Sequence, residues 1–262
     1  MDLLAALEPL AALGAGPVAI AAGVFARISA LVFLLPGMGE HAIPVRVRLA
    51  GALAIALALT PMVLAAGPAA PGAPAALIAT LAAEAFAGAV IGFAIRIAAF
   101  ALEIAGHIAA QHLSLSQIFG GGLNAAPEPP IATLFLMAGV TLALAAGLHF
   151  KAVAALAASY EIMPFGVFPG ADEAGAWAAG RAAYAFSAAL ALALPFVILG
   201  FIYNLAIGAA NRAMPQLMVA FVGAPAITLA GLVLLALAAP GLLIVWLEMV
   251  DLAFAAVLGG AP

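Results

Sequence analysis

The chain has 262 residues, of which 68% are hydrophobic and 7% charged, and its formal net charge is −4. Soluble domains carry about 25% charged residues, so this composition excludes water as the main solvent and marks an integral membrane protein. With 7 basic and 11 acidic side chains there is no patch to recruit nucleic acid, and the absence of cysteine excludes disulfides, iron–sulfur clusters and thiolate zinc sites.

Apolar runs punctuated by glycine and proline predict an all-α fold of about six long helices with kinks: 14–36, 44–66, 75–112, 129–159, 173–209 and 215–250. The opening Met1-Asp2-Leu3-Leu4 lacks a basic n-region, so the first apolar stretch is read as retained. Pro36-Gly37-Met38-Gly39 ends the first run, Pro44 starts the second, and the proline-rich stretch 67–74 separates the second from the third. Met163-Pro164-Phe165-Gly166 marks a later turn. The runs 75–112 and 173–209 are nearly twice the ~20 residues that cross a hydrocarbon core. They either kink, with Pro195 placed to do so, or continue beyond the bilayer against protein. Arg46 and Arg48 open the second run and Arg212 lies between the last two, which puts those connections on the cytoplasmic side.

Three constellations stand out. Arg96, Glu103, His107 and Gln111 fall within about 80° of one another at ~100° per residue, a narrow polar stripe on an apolar helix, whereas Glu84 belongs to another face. Such a stripe is an internal ion-pair or hydrogen-bond set, a lumen lining or a subunit interface. Metal binding by Glu103 and His107, with His112 nearby, is the minor reading, because zinc takes three or four protein ligands. Residues 113–130 combine bulky Leu115, Ile118, Phe119 and Leu123 with Gly120, Gly121 and Gly122, then Pro127, Pro129 and Pro130. That segment forms no long helix and is too apolar for an ordinary surface loop, which suggests a plug or constriction in a conduit, or else a solvent loop with tucked hydrophobes. Asn211, Arg212, Pro215 and Gln216 interrupt the last two runs, with Pro225 ten residues beyond the first proline, and suggest a turn that docks on a partner.

Enzyme signatures are missing: there is no Gly-x-Ser-x-Gly, no His-Glu-x-x-His, and the triple glycine lacks a following Gly-Lys-Ser/Thr. No cofactor is expected. Lys151 follows His149-Phe150 at a helix kink or boundary and is read as snorkelling, and Tyr160, Trp177 and Trp246 are read as interfacial aromatics. Gly88/Gly92 and Gly200/Asn204/Gly208 have helix-packing spacing, which carries little weight in so alanine-rich a chain.

An ordered set of short stretches resembles the flagellar FliR and type III secretion export-gate family. It comprises Arg27-Ile28-Ser29, Pro36, Ile43-Pro44-Val45-Arg46-Val47-Arg48-Leu49, Thr60-Pro61, Gly122-Leu123-Asn124, Gly147-Leu148-His149-Phe150, Met163-Pro164-Phe165-Gly166, Asn211-Arg212, Pro215-Gln216, Gly223 and Pro225. Leu217-Met218-Val219 and Ala224 depart from the family's usual Asn-Val-Phe and Gly-Phe-Pro. The resemblance implies a multi-pass protein of the bacterial inner membrane and flagellar basal body, one subunit of a helical export-gate assembly. FliP-like and FliQ-like subunits, FlhB and FlhA would be its partners, alongside membrane lipid, and unfolded export substrates its cargo. Residues 1–170 would form a FliP-like part with the plug loop 113–130, and residues 171–262 a FliQ-like hairpin. A virulence secretion subunit is the alternative, and a small-solute permease using the stripe is a more distant one.

Overall fold

The computed structural model describes residues 16–39, 43–113, 130–168, 170–214 and 219–257. Among them the fold is entirely helical: α1 (Pro17–Leu34), α2 (Val45–Ala65), α3 (Pro74–His112), α4 (Pro130–Ala145), α5 (Leu148–Ile162), α6 (Ala171–Ala213) and α7 (Val219–Val257). Five of these are long and apolar enough to cross a membrane, and the bent pair α4–α5 makes a sixth span if counted as one.

Proline and glycine set the boundaries, though not always as the sequence suggests. Pro17 sits in the first turn of α1, where its missing N–H is no loss. The run 129–159, with a kink or boundary expected near His149-Phe150-Lys151, is two helices bent by 68°. Gly147, at φ +84, takes the left-handed conformation that a Cβ disfavours, and this ends one helix and starts the next. In the opposite sense, α6 runs through Pro195 as one element, and α7 contains both Pro225 and Pro240. Pro225 thus lies inside a helix, within the run 215–250. Long apolar helices tolerate such prolines where neighbours satisfy the freed carbonyl. At ~1.5 Å per residue α3 is about 58 Å long and α6 about 64 Å, twice a hydrocarbon core.

The chain divides into two compact units. One comprises Met1–Arg96, Leu144–Gly180 and Val250–Pro262, the other Ile97–Ala143 and Arg181–Met249. In the first unit Val24, Ile28 and Leu31 of α1 bury against the α3 face that carries Ala87 and Ile91. The Gly88/Gly92 pair matters here: a Cβ on Gly88 would lie 1.9 Å from the Arg27 carbonyl oxygen, and one on Gly92 would lie 2.7 Å from Leu34 Cβ. Small residues at this spacing let the two backbones meet. In the second unit the core holds Leu102, Leu113, Phe135, Phe196, Ile227 and Trp246. Trp246 is 1% exposed and donates its Nε1–H to Ala98 O at 2.7 Å, so it is a core residue and not the interfacial aromatic expected. Phe135 and Phe196 meet at 6.2 Å.

Candidate functional site

The first unit holds a fully buried charge cluster. Arg27 on α1 and Glu84 on α3 are both 0% exposed. Arg27 grips the carboxylate with two parallel bonds, Nε to Oε2 and Nη2 to Oε1, each 2.9 Å. Such forked, charge-assisted pairs are the strong ones. The remaining capacity is used as well. Arg27 Nη1 donates to Ser159 Oγ at 3.0 Å and Nη2 to Met163 O at 2.9 Å. Glu84 also accepts from Gly166 N at 2.9 Å and from the Tyr160 hydroxyl at 3.3 Å, while the Tyr160 ring lies 3.8 Å beneath the guanidinium. The Ser159 hydroxyl in turn donates to Leu156 O at 2.7 Å.

Burial of two ions is unfavourable unless geometry and hydrogen bonding compensate, and here both do. The cluster ties α1, α3 and α5 to the turn at Met163-Pro164-Phe165-Gly166. It offers no unsatisfied group to a substrate, so its work is structural. The sequence reading missed it: Tyr160 was taken as interfacial, and Glu84 was set aside as lying on another face. The available signal was one basic and one acidic residue, each inside an apolar run. Lys151 is likewise ion-paired, to Asp251 at 2.5 Å, with both side chains about half exposed.

The second unit carries the polar stripe. Glu103, His107 and Gln111 of α3 line one wall of a groove of about 550 Å³, together with Ile97, Phe100, Ile104 and Ile108; Ala182, Ala185 and Phe186 of α6 form the other. Arg96 is half-buried on the same helix but is not part of that wall. His107 Nδ1 lies 2.9 Å from Glu103 O, and since a carbonyl only accepts, Nδ1 is the protonated nitrogen. No group of three or more metal-ligating side chains is present among the described residues. His112 packs instead against Gly200, where an added Cβ would stand 2.9 Å from the imidazole.

The plug candidates Leu115, Ile118, Phe119, Gly120, Gly121, Gly122 and Leu123 lie outside the described residues, as do Pro215 and Gln216. The stems on either side of the first segment are described. Leu113 is fully buried, and its side chain fills the space over Gly231 of α7. On the return, Ala132 packs on Gly106. Asn211 and Arg212 sit on the last turn of α6 and not beyond it, both exposed. A cation there is favoured by the helix dipole.

Residues 18–253 match the family described as bacterial export proteins, family 1. The chain is 36% identical over 232 residues to the flagellar biosynthetic protein FliR of Caulobacter vibrioides, an alignment covering 87% of this chain and 92% of that one. It is 28% identical over 217 residues to the flagellar biosynthetic protein FliR of Escherichia coli, covering 82% of each chain.

Proposed function

This chain belongs to the bacterial export proteins, family 1, and on that premise we propose that it is a core subunit of the flagellar type III protein export gate that lines the conduit for unfolded flagellar subunits. The near end-to-end match to a flagellar biosynthetic protein carries this reading. Both curated relatives are flagellar by name, which favours flagellar over virulence secretion. Deleting the gene in its own bacterium should abolish secretion of hook and filament subunits and motility, and the intact chain should restore them. Normal export in the deletion strain overturns the proposal.

FliP-like and FliQ-like subunits, FlhB and FlhA are the proposed partners, in the inner membrane at the flagellar basal body. Residues 1–170 are the proposed FliP-like part and residues 171–262 the FliQ-like hairpin. Helices about twice as long as the hydrocarbon core is thick, with Leu194, Phe201, Leu237 and Ile244 exposed along α6 and α7, support a chain completed by other subunits. Co-expression with FliP-like and FliQ-like subunits should stabilise it, and a monodisperse, long-lived solitary monomer in detergent argues against this. The proposed plug is residues 113–130, with Leu115, Ile118, Phe119 and Leu123 supplying bulk that dewets the path. Deleting 118–123 should keep assembly and raise resting ion leak. A tight membrane with normal export reduces the segment to an ordinary loop.

A further inference from the structure

The groove of the second unit has a chemistry that specifies its occupant. It runs from Ile97 to Gln111 along α3, about 21 Å at ~1.5 Å per residue, or four helical turns. Its α6 wall is low, formed by Ala182 and Ala185 with Phe186 beside them, and small side chains of this kind admit the backbone of another helix. Its α3 wall is apolar at Ile97, Phe100, Ile104 and Ile108 and polar at Glu103, His107 and Gln111. The Glu103 carboxylate is the strong acceptor on that wall, since an ionised carboxylate only accepts. With Nδ1 of His107 committed to Glu103 O, Nε2 is the ring nitrogen left for a partner. Acyl chains have no donor to offer, and an acceptor held against hydrocarbon without one is strongly disfavoured.

We infer that this groove receives an apolar helix of a partner subunit that carries a lysine or arginine opposite Glu103 and His107. The inference rests on the chain working within a multi-subunit membrane assembly, and it is read out by contact and not by export. A basic side chain that pairs with Glu103 also lies beside His107, since the two are one turn apart on α3. The groove's apolar rows then pack on the rest of the incoming helix.

The test places a photoreactive benzophenone side chain at Ala182 of the otherwise intact chain, expressed in its own bacterium, and sequences the cross-linked peptide. The expected product is a peptide from another membrane subunit, apolar over at least three turns, with Lys or Arg within one turn of the adduct. Glu103→Lys should cut the yield at least tenfold, and changing that basic residue of the partner to Glu should restore it. A second benzophenone at Leu237, exposed on α7, reports whether the variant still folds and assembles, because its adducts should be unaffected. Adducts only to lipid, to a second copy of this chain or to a helix without a basic residue overturn the inference. So does an undiminished yield in Glu103→Lys. If gene deletion leaves export intact while the reciprocal rescue holds, the docking site stands and the flagellar reading alone falls.

Discussion

Replacing Arg27 with methionine isolates what the buried cluster contributes. The variant keeps the apolar stem and removes the guanidinium. Glu84 then loses its two bonds from Arg27 and retains only the Gly166 amide and the Tyr160 hydroxyl; Met163 O loses its side-chain donor. Breaking a buried pair from one side costs about 3–5 kcal/mol, against a folding margin of roughly 5–15 kcal/mol. The double variant Arg27→Met/Glu84→Met removes both charges and fills similar volume. Such replacements are close to neutral, or stabilising by about 1–4 kcal/mol. The cycle should therefore show a coupling of about 3 kcal/mol or more, with the double variant more stable than either single one. Unfolding midpoints of the protein purified from membranes, with its membrane abundance alongside, provide the measurement. A single variant within about 1 kcal/mol of wild type, or a double variant no better than the worse single one, refutes the reasoning.

Four further outcomes are expected. Gly88→Ala drives a Cβ into the Arg27 carbonyl and should cost at least about 1–3 kcal/mol, while Gly208→Ala, with nothing within 4 Å, should gain about 0.5–1 kcal/mol; thermal midpoints compare them. Trp246→Phe removes the bond to Ala98 O and part of the ring volume, and should lower stability by about 1–3 kcal/mol in the same assay. Lys151→Ala should change stability by at most about 1 kcal/mol, less in high salt, because that pair is half exposed. Arg212→Ala should leave stability within about 0.5 kcal/mol yet weaken recruitment of a later export component, scored by co-purification; unchanged recruitment and export reduce Arg212 to a topology marker.

Helix existence was legible because apolar runs and proline punctuation carry it directly, as at 44–66 and 75–112. The 68° break at Gly147 was legible only as a kink or boundary near His149-Phe150-Lys151, without its angle. A lone glycine inside an apolar run reads the same whether it continues a helix or turns left-handed, and tertiary packing decides. Pro195, Pro225 and Pro240 sit inside helices for the converse reason, since a proline inside an apolar helix is tolerated when neighbours cover the freed carbonyl. Periodicity gathers Glu103, His107 and Gln111 on one face of a helix, but Phe186 across the groove was not legible, because periodicity says nothing about which helix comes alongside. The Arg27–Glu84 pair escaped for that reason too. Its members are 57 positions apart, and Ser159 lies 132 positions from Arg27.

That separation has a consequence for biogenesis. Arg27 lies near the middle of the first described helix, where an arginine adds about 2.5–3.5 kcal/mol to the free energy of entering the bilayer. Its counter-ion is 57 residues away, about 3–11 s at a synthesis rate of roughly 5–20 residues per second. Ser159, Tyr160 and the Met163 carbonyl emerge later still. During that interval no other member of the cluster offsets the buried charge, and α1 is favoured to linger beside the insertion machinery until α3 arrives. The first span is thus stitched into place retroactively, its residence in lipid made permanent by residues not yet translated when it leaves the ribosome.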